Sequence, residues 1–161
     1  MHQNSENKSA VILPFNAESP NCTIATAPSL TYSFMKCDMG RSSSMLAEYS
    51  PDSIVRAMAR VIECTYDDIY ISLSQVGWTT KKPFNFSAYA KNYTIRDIRF
   101  VPIQIPSPFI TLGQFCEVMP KGRFILCKKD YYYAVVNDWV YDVKFALPET
   151  QITKCWSAVP S

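Results

Sequence analysis

Three short β-prone segments separated by two-residue turns constrain the fold of this chain most strongly. Arg123–Lys128 reads Arg-Phe-Ile-Leu-Cys-Lys, Tyr131–Val136 reads Tyr-Tyr-Tyr-Ala-Val-Val, and Trp139–Val143 reads Trp-Val-Tyr-Asp-Val. Lys129-Asp130 and Asn137-Asp138 stand between them. Asn and Asp tolerate the left-handed backbone that tight hairpins need. The spacing predicts a three-stranded antiparallel meander. Alternation then sends Tyr132 to one face and Tyr131 and Tyr133 to the other.

Upstream, the period changes from two to 3.6. Ser50-Pro51-Asp52-Ser53 reads as a helix start: Ser50 as cap, Pro51 at the first helical position, Asp52 complementing the positive end of the dipole. Ile54, Val55, Met58, Val61 and Ile62 follow at helical spacing, giving a helix to about Cys64. Thr65-Tyr66-Asp67-Asp68 opens a second helix with Ile69, Leu73 and Val76 as its buried stripe and Gly77 as its stop. Residues 86–93 read as a third, short helix. Asp97–Ile105 is β-branched, and Pro102 and Pro106 push that strand towards a sheet edge. Leu112–Met119 reads as a helix capped by Thr111 and stopped by Pro120. Helices first and a meander later imply an α+β domain over residues 47–146.

The flanks read differently. Residues 1–46 carry short apolar pieces, Val11–Phe15 and Cys22–Phe34, broken by Pro14, Pro20 and Pro28 and by the run Gly40–Ser44. No helical period is sustained, so this region is expected to be an extended arm with one or two short strands, laid across a neighbour by its apolar pieces. Residues 147–161 read as an irregular C-terminal tail with Trp156 as its anchor.

Composition removes several classes of function. At 48% hydrophobic and 19% charged residues, a sizeable core can form. The net charge is +2, and only Lys81-Lys82 and Lys128-Lys129 are adjacent among the basic residues from Arg56 to Lys129. Direct nucleic-acid binding wants a concentrated basic stripe and is not expected. No apolar run reaches a membrane span, and MHQNSENKSA lacks the pattern of a signal peptide. Six cysteines, at 22, 37, 64, 116, 127 and 155, form no Cys-x-x-Cys pair. They are read as reduced, small hydrophobes, with no metal site and no cofactor expected. The Asn-x-Ser/Thr triplets at Asn21, Asn85 and Asn92 are read as chance.

A family resemblance joins these elements. Pro51-Asp52-Ser53-Ile54-Val55-Arg56-Ala57 resembles the D-C-V-V-R-A helix start of small papain-like, C39-type cysteine-peptidase-like proteins of bacteriophages and bacteria. Tyr66-Asp67-Asp68-Ile69-Tyr70 resembles that family's Y-D-E-V-Y helix. Gly122–Leu126, Tyr131–Asp138 and Val140-Tyr141-Asp142 resemble its G-R-Y-I-V, G-H-x-x-A-V-V-D-G and V-Y-D segments. Order and approximate spacing agree over about two thirds of the chain.

The resemblance implies a papain-like α+β fold and assigns roles by position. Ser53 stands where active members carry the cysteine nucleophile, Tyr131 where they carry the histidine base, and Asp142 where they carry the group that orients it. The only histidine in this chain is His2, outside the domain. A neutral serine needs a base, and a phenol with pKa near ~10 is a poor one at neutral pH. No catalytic residue is therefore expected, and Ser53, Tyr131 and Asp142 are read as degenerate positions. On this fold Ser53 and Tyr131 would face each other with their hydroxyls in hydrogen-bonding reach. Ser53 as a plain helix-start residue, the tyrosines as strand filler and Asp142 as a strand end are equally simple readings. The expected function is a non-catalytic structural or binding protein, a bacteriophage virion component of capsid, neck or tail. Its expected partners are copies of itself and other virion proteins, engaged through the arm. An active hydrolase with a displaced nucleophile and a soluble phage inhibitor of a host protein are the alternatives.

Overall fold

The computed structural model describes residues 23–25, 33–48, 51–105, 109–119 and 121–161. The molecule is α+β. A mixed sheet runs in the order β1-β2-β7-β6-β5-β9-β3, and a small second sheet pairs β4 with β8. The strands are β1 (Thr23–Ala25), β2 (Ser33–Lys36), β3 (Ile98–Ile103), β4 (Ile110–Thr111), β5 (Arg123–Lys128), β6 (Tyr131–Val136), β7 (Trp139–Asp142), β8 (Gln151–Ile152) and β9 (Lys154–Pro160). The helices are α1 (Ser53–Ile62), α2 (Tyr66–Gln75), α3 (Phe86–Asn92) and α4 (Leu112–Val118).

The meander β5-β6-β7 forms as its spacing predicts. Tyr131 pairs with Lys128, and Tyr141 with Ala134. Lys129, Asn137 and Asp138 all take positive φ at the turns. Gly122, at φ 122°, leads into β5. A Cβ there would lie 2.7 Å from the Phe124 ring, so a side chain is excluded on two grounds. Asn137 locks this corner: its N–H donates to the Gly122 carbonyl, and its Oδ1 accepts from the Gly122 N–H.

The helices follow their caps. Thr65 Oγ1 accepts from the Asp68 N–H, and Thr111 with Gln114 forms a full capping box. Asn85 is the cap of α3, its Oδ1 accepting from the Ala88 N–H at 3.0 Å. Helix α1 starts later than expected, with Asp52 and not Ser50 at the cap. The Asp52 side chain makes no capping bond, because it is drawn into a buried ionic network.

Each face of the large sheet has its own core. Helix α1 lies across β5, β6 and β7. Its Val55, Met58 and Val61 join Ile69, Leu73, Phe86, Ile125, Tyr132 and Trp156 in one apolar cluster. On the opposite face Phe34, Leu112, Phe115, Phe124, Leu126, Val135, Val140 and Ile152 form a second. Tyr132 falls in the first cluster and Tyr133 in the second, as strand alternation requires.

Two boundaries differ from the sequence expectation. The expected C-terminal tail, residues 147–161, is structured. It contains β8 and β9, and β9 lies between β5 and β3. Its own alternation is weak, so its partners on both sides specify it. Trp156 pairs with Ile125 on one side and Pro102 on the other. The folded unit also begins before residue 47. Strand β2 pairs parallel with β7 over Ser33–Lys36, and Phe34 is buried against Phe145 with ring centroids 5.1 Å apart. Residues 1–22 and 26–32 of the expected arm lie outside the described residues. The edge assignment for β3 holds: it pairs with β9 alone in the sheet order, and Pro102 sits in it.

Cys64, Cys127 and Cys155 carry free thiols, the last two buried, and Cys116 is buried in the second core cluster. Cys37 is disulfide-bonded, which departs from the expectation of six reduced thiols. Cys22 lies outside the described residues. Among the described residues no cluster of His, Cys, Asp or Glu could hold a metal ion, and no helix is long and apolar enough to cross a membrane.

Candidate functional site

The site grows from the first turn of α1 and the ends of β6 and β7. Asp52 and Arg56 stand four residues apart, so both side chains point the same way along the helix, towards the end of the sheet. Arg56 Nε donates to Asp52 Oδ1 at 3.2 Å, and Arg56 Nη1 donates to Asp142 Oδ1 at 2.6 Å. Arg56 Nη2 lies 3.4 Å from the Tyr131 hydroxyl oxygen. The Tyr131 hydroxyl in turn donates to Asp142, 2.8 and 2.7 Å from the two carboxylate oxygens. Tyr66 donates its hydroxyl proton to Asp52 Oδ2 at 2.7 Å, and Arg41 Nη1 donates to Asp52 Oδ1 at 3.1 Å. Asp52, Arg56 and Asp142 are only 2%, 7% and 4% exposed, so this is a buried ionic network with each charge opposed.

The protonation states follow from that burial. Burial works against the Arg56 charge, but Tyr131, Asp142 and Asp52 outweigh it and hold the guanidinium above its ordinary range. Burial pushes the Tyr131 phenol up to about 12, with Asp142 adding to the rise and Arg56 opposing it. Burial, then the hydrogen bond to Asp52, also raises Tyr66. At neutral pH Tyr131 is a proton donor to Asp142.

Of the three residues singled out in the sequence, the structure pairs two directly. Tyr131 and Asp142 are hydrogen-bonded. Ser53 takes a different partner from the one expected: its Oγ accepts from the Tyr132 backbone N–H at 3.0 Å. The expected bond between the Ser53 and Tyr131 hydroxyls is not among the hydrogen bonds of the described residues. The physical reason is the Arg56–Asp142 pair, which draws the Tyr131 hydroxyl to itself. Tyr132, whose side chain points to the helical face, donates its hydroxyl to the Phe84 carbonyl at 3.1 Å. Ser53 also borders a cavity of about 210 Å³, walled by Ile54, Trp78, Phe84 and Tyr132 and edged by Lys81 and Lys82.

Ser53→Ala is expected to cost about 1–3 kcal/mol, since it strips the acceptor from a buried backbone N–H. That exceeds the cost of a simple helix-start change, and urea unfolding of the variant measures it. Alkali provides a second test. Tyr131 and Tyr89 are both raised by burial to about 12, against about 10 for an unfolded phenol. The unfolded chain therefore loses these protons first. Their contribution to stability is complete below about pH 10 and is lost as pH rises towards about 12. The urea midpoint should fall over that window together with the growth of phenolate absorbance. A midpoint flat across the window contradicts the assignment.

Three of the described thiols are held in the protonated form by burial. Burial pushes Cys64, Cys127 and Cys155 each up to about 11. Asp67 and Asp68 serve the α2 start, as read from sequence. Asp67 accepts from the Ser44 hydroxyl, and Asp68 pairs with Arg96 at 2.8 Å.

The centre of the network, Arg56, stood in the sequence among scattered basic residues. One signal for it was present: an arginine four residues after an aspartate at the start of a helix. Comparison of the chain with family models, with curated proteins and with solved structures finds no match.

Proposed function

We propose that the chain is a non-catalytic structural or binding protein built on a degenerate papain-like, C39-type framework, and that it serves as a component of a bacteriophage virion. One observation carries the non-catalytic part. The Tyr131 phenol, at the position of the base, donates to Asp142 and is raised to about 12, so it does not take up a proton from Ser53 at neutral pH. The helix-on-meander arrangement of α1 against β5, β6 and β7 agrees with the motif order that suggested the family. The virion assignment rests on the resemblance of the Pro51–Ala57, Tyr66–Tyr70 and Gly122–Asp142 segments to phage-encoded members.

Assembly proceeds through the N-terminal part of the chain. Strand β1 is the outermost strand at its end of the sheet, so the chain enters the domain at the sheet margin. Extended arms that leave such a margin can supply main-chain hydrogen bonds and side-chain register to neighbouring copies. Mass measurement by light scattering tests this, with the full chain beside a chain lacking residues 1–22, which retains β2. The expected result is a discrete oligomer for the first and a folded monomer for the second. A full-length chain that remains monomeric at all concentrations, alone and with the other virion proteins, overturns the assembly role.

A further inference from the structure

On the side of the molecule away from β1, helix α3 overhangs the edge strand β3 and leaves a groove. Two hollows make it up, of about 400 and 310 Å³, and they meet at Ser87, Pro102 and Trp156. Lys91 and Arg99 line the first, and Lys154 lines the second. No aspartate or glutamate lines either hollow. All three cations are exposed, and none takes part in an ion pair among the described residues. Elsewhere the described arginines Arg41, Arg56, Arg96 and Arg123 are each matched to a carboxylate. Three exposed cations thus line this one edge of the sheet with no carboxylate among the groove's lining residues.

We infer that this groove is a docking site for an extended acidic segment of a protein partner, which places carboxylates at Arg99 and Lys91 on one end and at Lys154 on the other. The charge pattern fixes the sign of the occupant. The strand fixes its shape and spacing. Arg99 pairs in register with Val159, and Lys154 precedes Cys155, the partner of Ile103. Five residues of extended chain at ~3.3 Å each separate the two cationic ends by roughly 17 Å. The occupant therefore carries acidic residues about five positions apart, with an apolar residue between them over Pro102 and Trp156. Recognition runs through side chains. Pro102 lacks an N–H, and Ile98 already exchanges both its backbone bonds with Ile95, so the edge cannot template a continuous added strand. This site is independent of the Ser53–Tyr131–Asp142 region and of the N-terminal assembly role.

Fluorescence anisotropy of the full chain tests it, with a labelled heptapeptide that has aspartate at positions 1 and 6 and phenylalanine at position 4. Saturable binding is expected that weakens with salt and falls about tenfold or more in the double variant Lys91→Glu/Arg99→Glu. Lys121→Glu/Lys128→Glu makes the same charge change away from the groove and is expected to leave binding within about twofold. Thermal unfolding of both double variants verifies that they fold. Equal weakening by the two pairs, absence of saturable binding, or tighter binding of a single-stranded oligonucleotide of the same charge each overturns the proposal.

Discussion

Arg56→Met is expected to destabilise the protein by about 3–5 kcal/mol, because it leaves two buried carboxylates without their shared cation. Asp52 and Asp142 are both buried, and Arg56 is the group that joins them, at 3.2 and 2.6 Å. Methionine restores much of the apolar volume, so the loss reports charge more than packing. Two further variants separate the causes. Arg56→Lys keeps the charge but cannot reach Asp52, Asp142 and Tyr131 together, so it should recover only part of the loss. Combining Arg56→Met with Asp52→Asn and Asp142→Asn removes the charges as a set and should be less harmful than Arg56→Met alone. Denaturant unfolding at neutral pH gives all three values. A loss below about 1 kcal/mol for Arg56→Met would show that solvent reaches the network and that it does not hold α1 to the meander.

Ending the chain at Leu147 is expected to abolish cooperative folding. The residues lost contain β8 and β9, and with them Ile152, Cys155 and Trp156, all nearly inaccessible to solvent. Trp156 meets the Phe86 ring edge-on at 4.7 Å, and Phe86 also touches Phe100 and Tyr132. The loss would open the sheet between β5 and β3 and uncover this aromatic cluster together. A graded version is Trp156→Ala, expected to cost about 3–5 kcal/mol. That is a large part of the 5–15 kcal/mol, roughly, that a domain of this kind has in total. Near-UV circular dichroism and urea unfolding distinguish the cases. A chain ending at Leu147 that still unfolds in one sharp transition would mean that β9 is an accessory strand.

Local chemistry was legible in the sequence wherever it was strong. Thr65 and Thr111 mark their helices because each side chain bonds a backbone N–H within its own first turn. The meander is legible because two short turns fix its register. Strands β2 and β9 are not, since their partners lie far away in sequence: β2 pairs with β7, and β9 with β3 and β5. Short segments such as Ser33–Lys36 carry too few alternations to reveal a strand without those partners. The candidate site divides in the same way. Ser53, Tyr131 and Asp142 could be picked out by motif, and the Tyr131–Asp142 contact follows from adjacent strands. The Arg56–Asp142 bond spans 86 residues, and no local pattern encodes it. The i,i+4 spacing of Asp52 and Arg56 was the single local trace of the network.

We propose that Ser53 stands in a former nucleophile position without a base. Intact-mass measurement after incubation of the folded protein with a fluorophosphonate at neutral pH tests it most directly. No adduct at Ser53 is expected, since its hydroxyl faces the Tyr132 N–H and Tyr131 holds its proton. Stoichiometric labelling that disappears in Ser53→Ala would contradict it and make the protein a hydrolase.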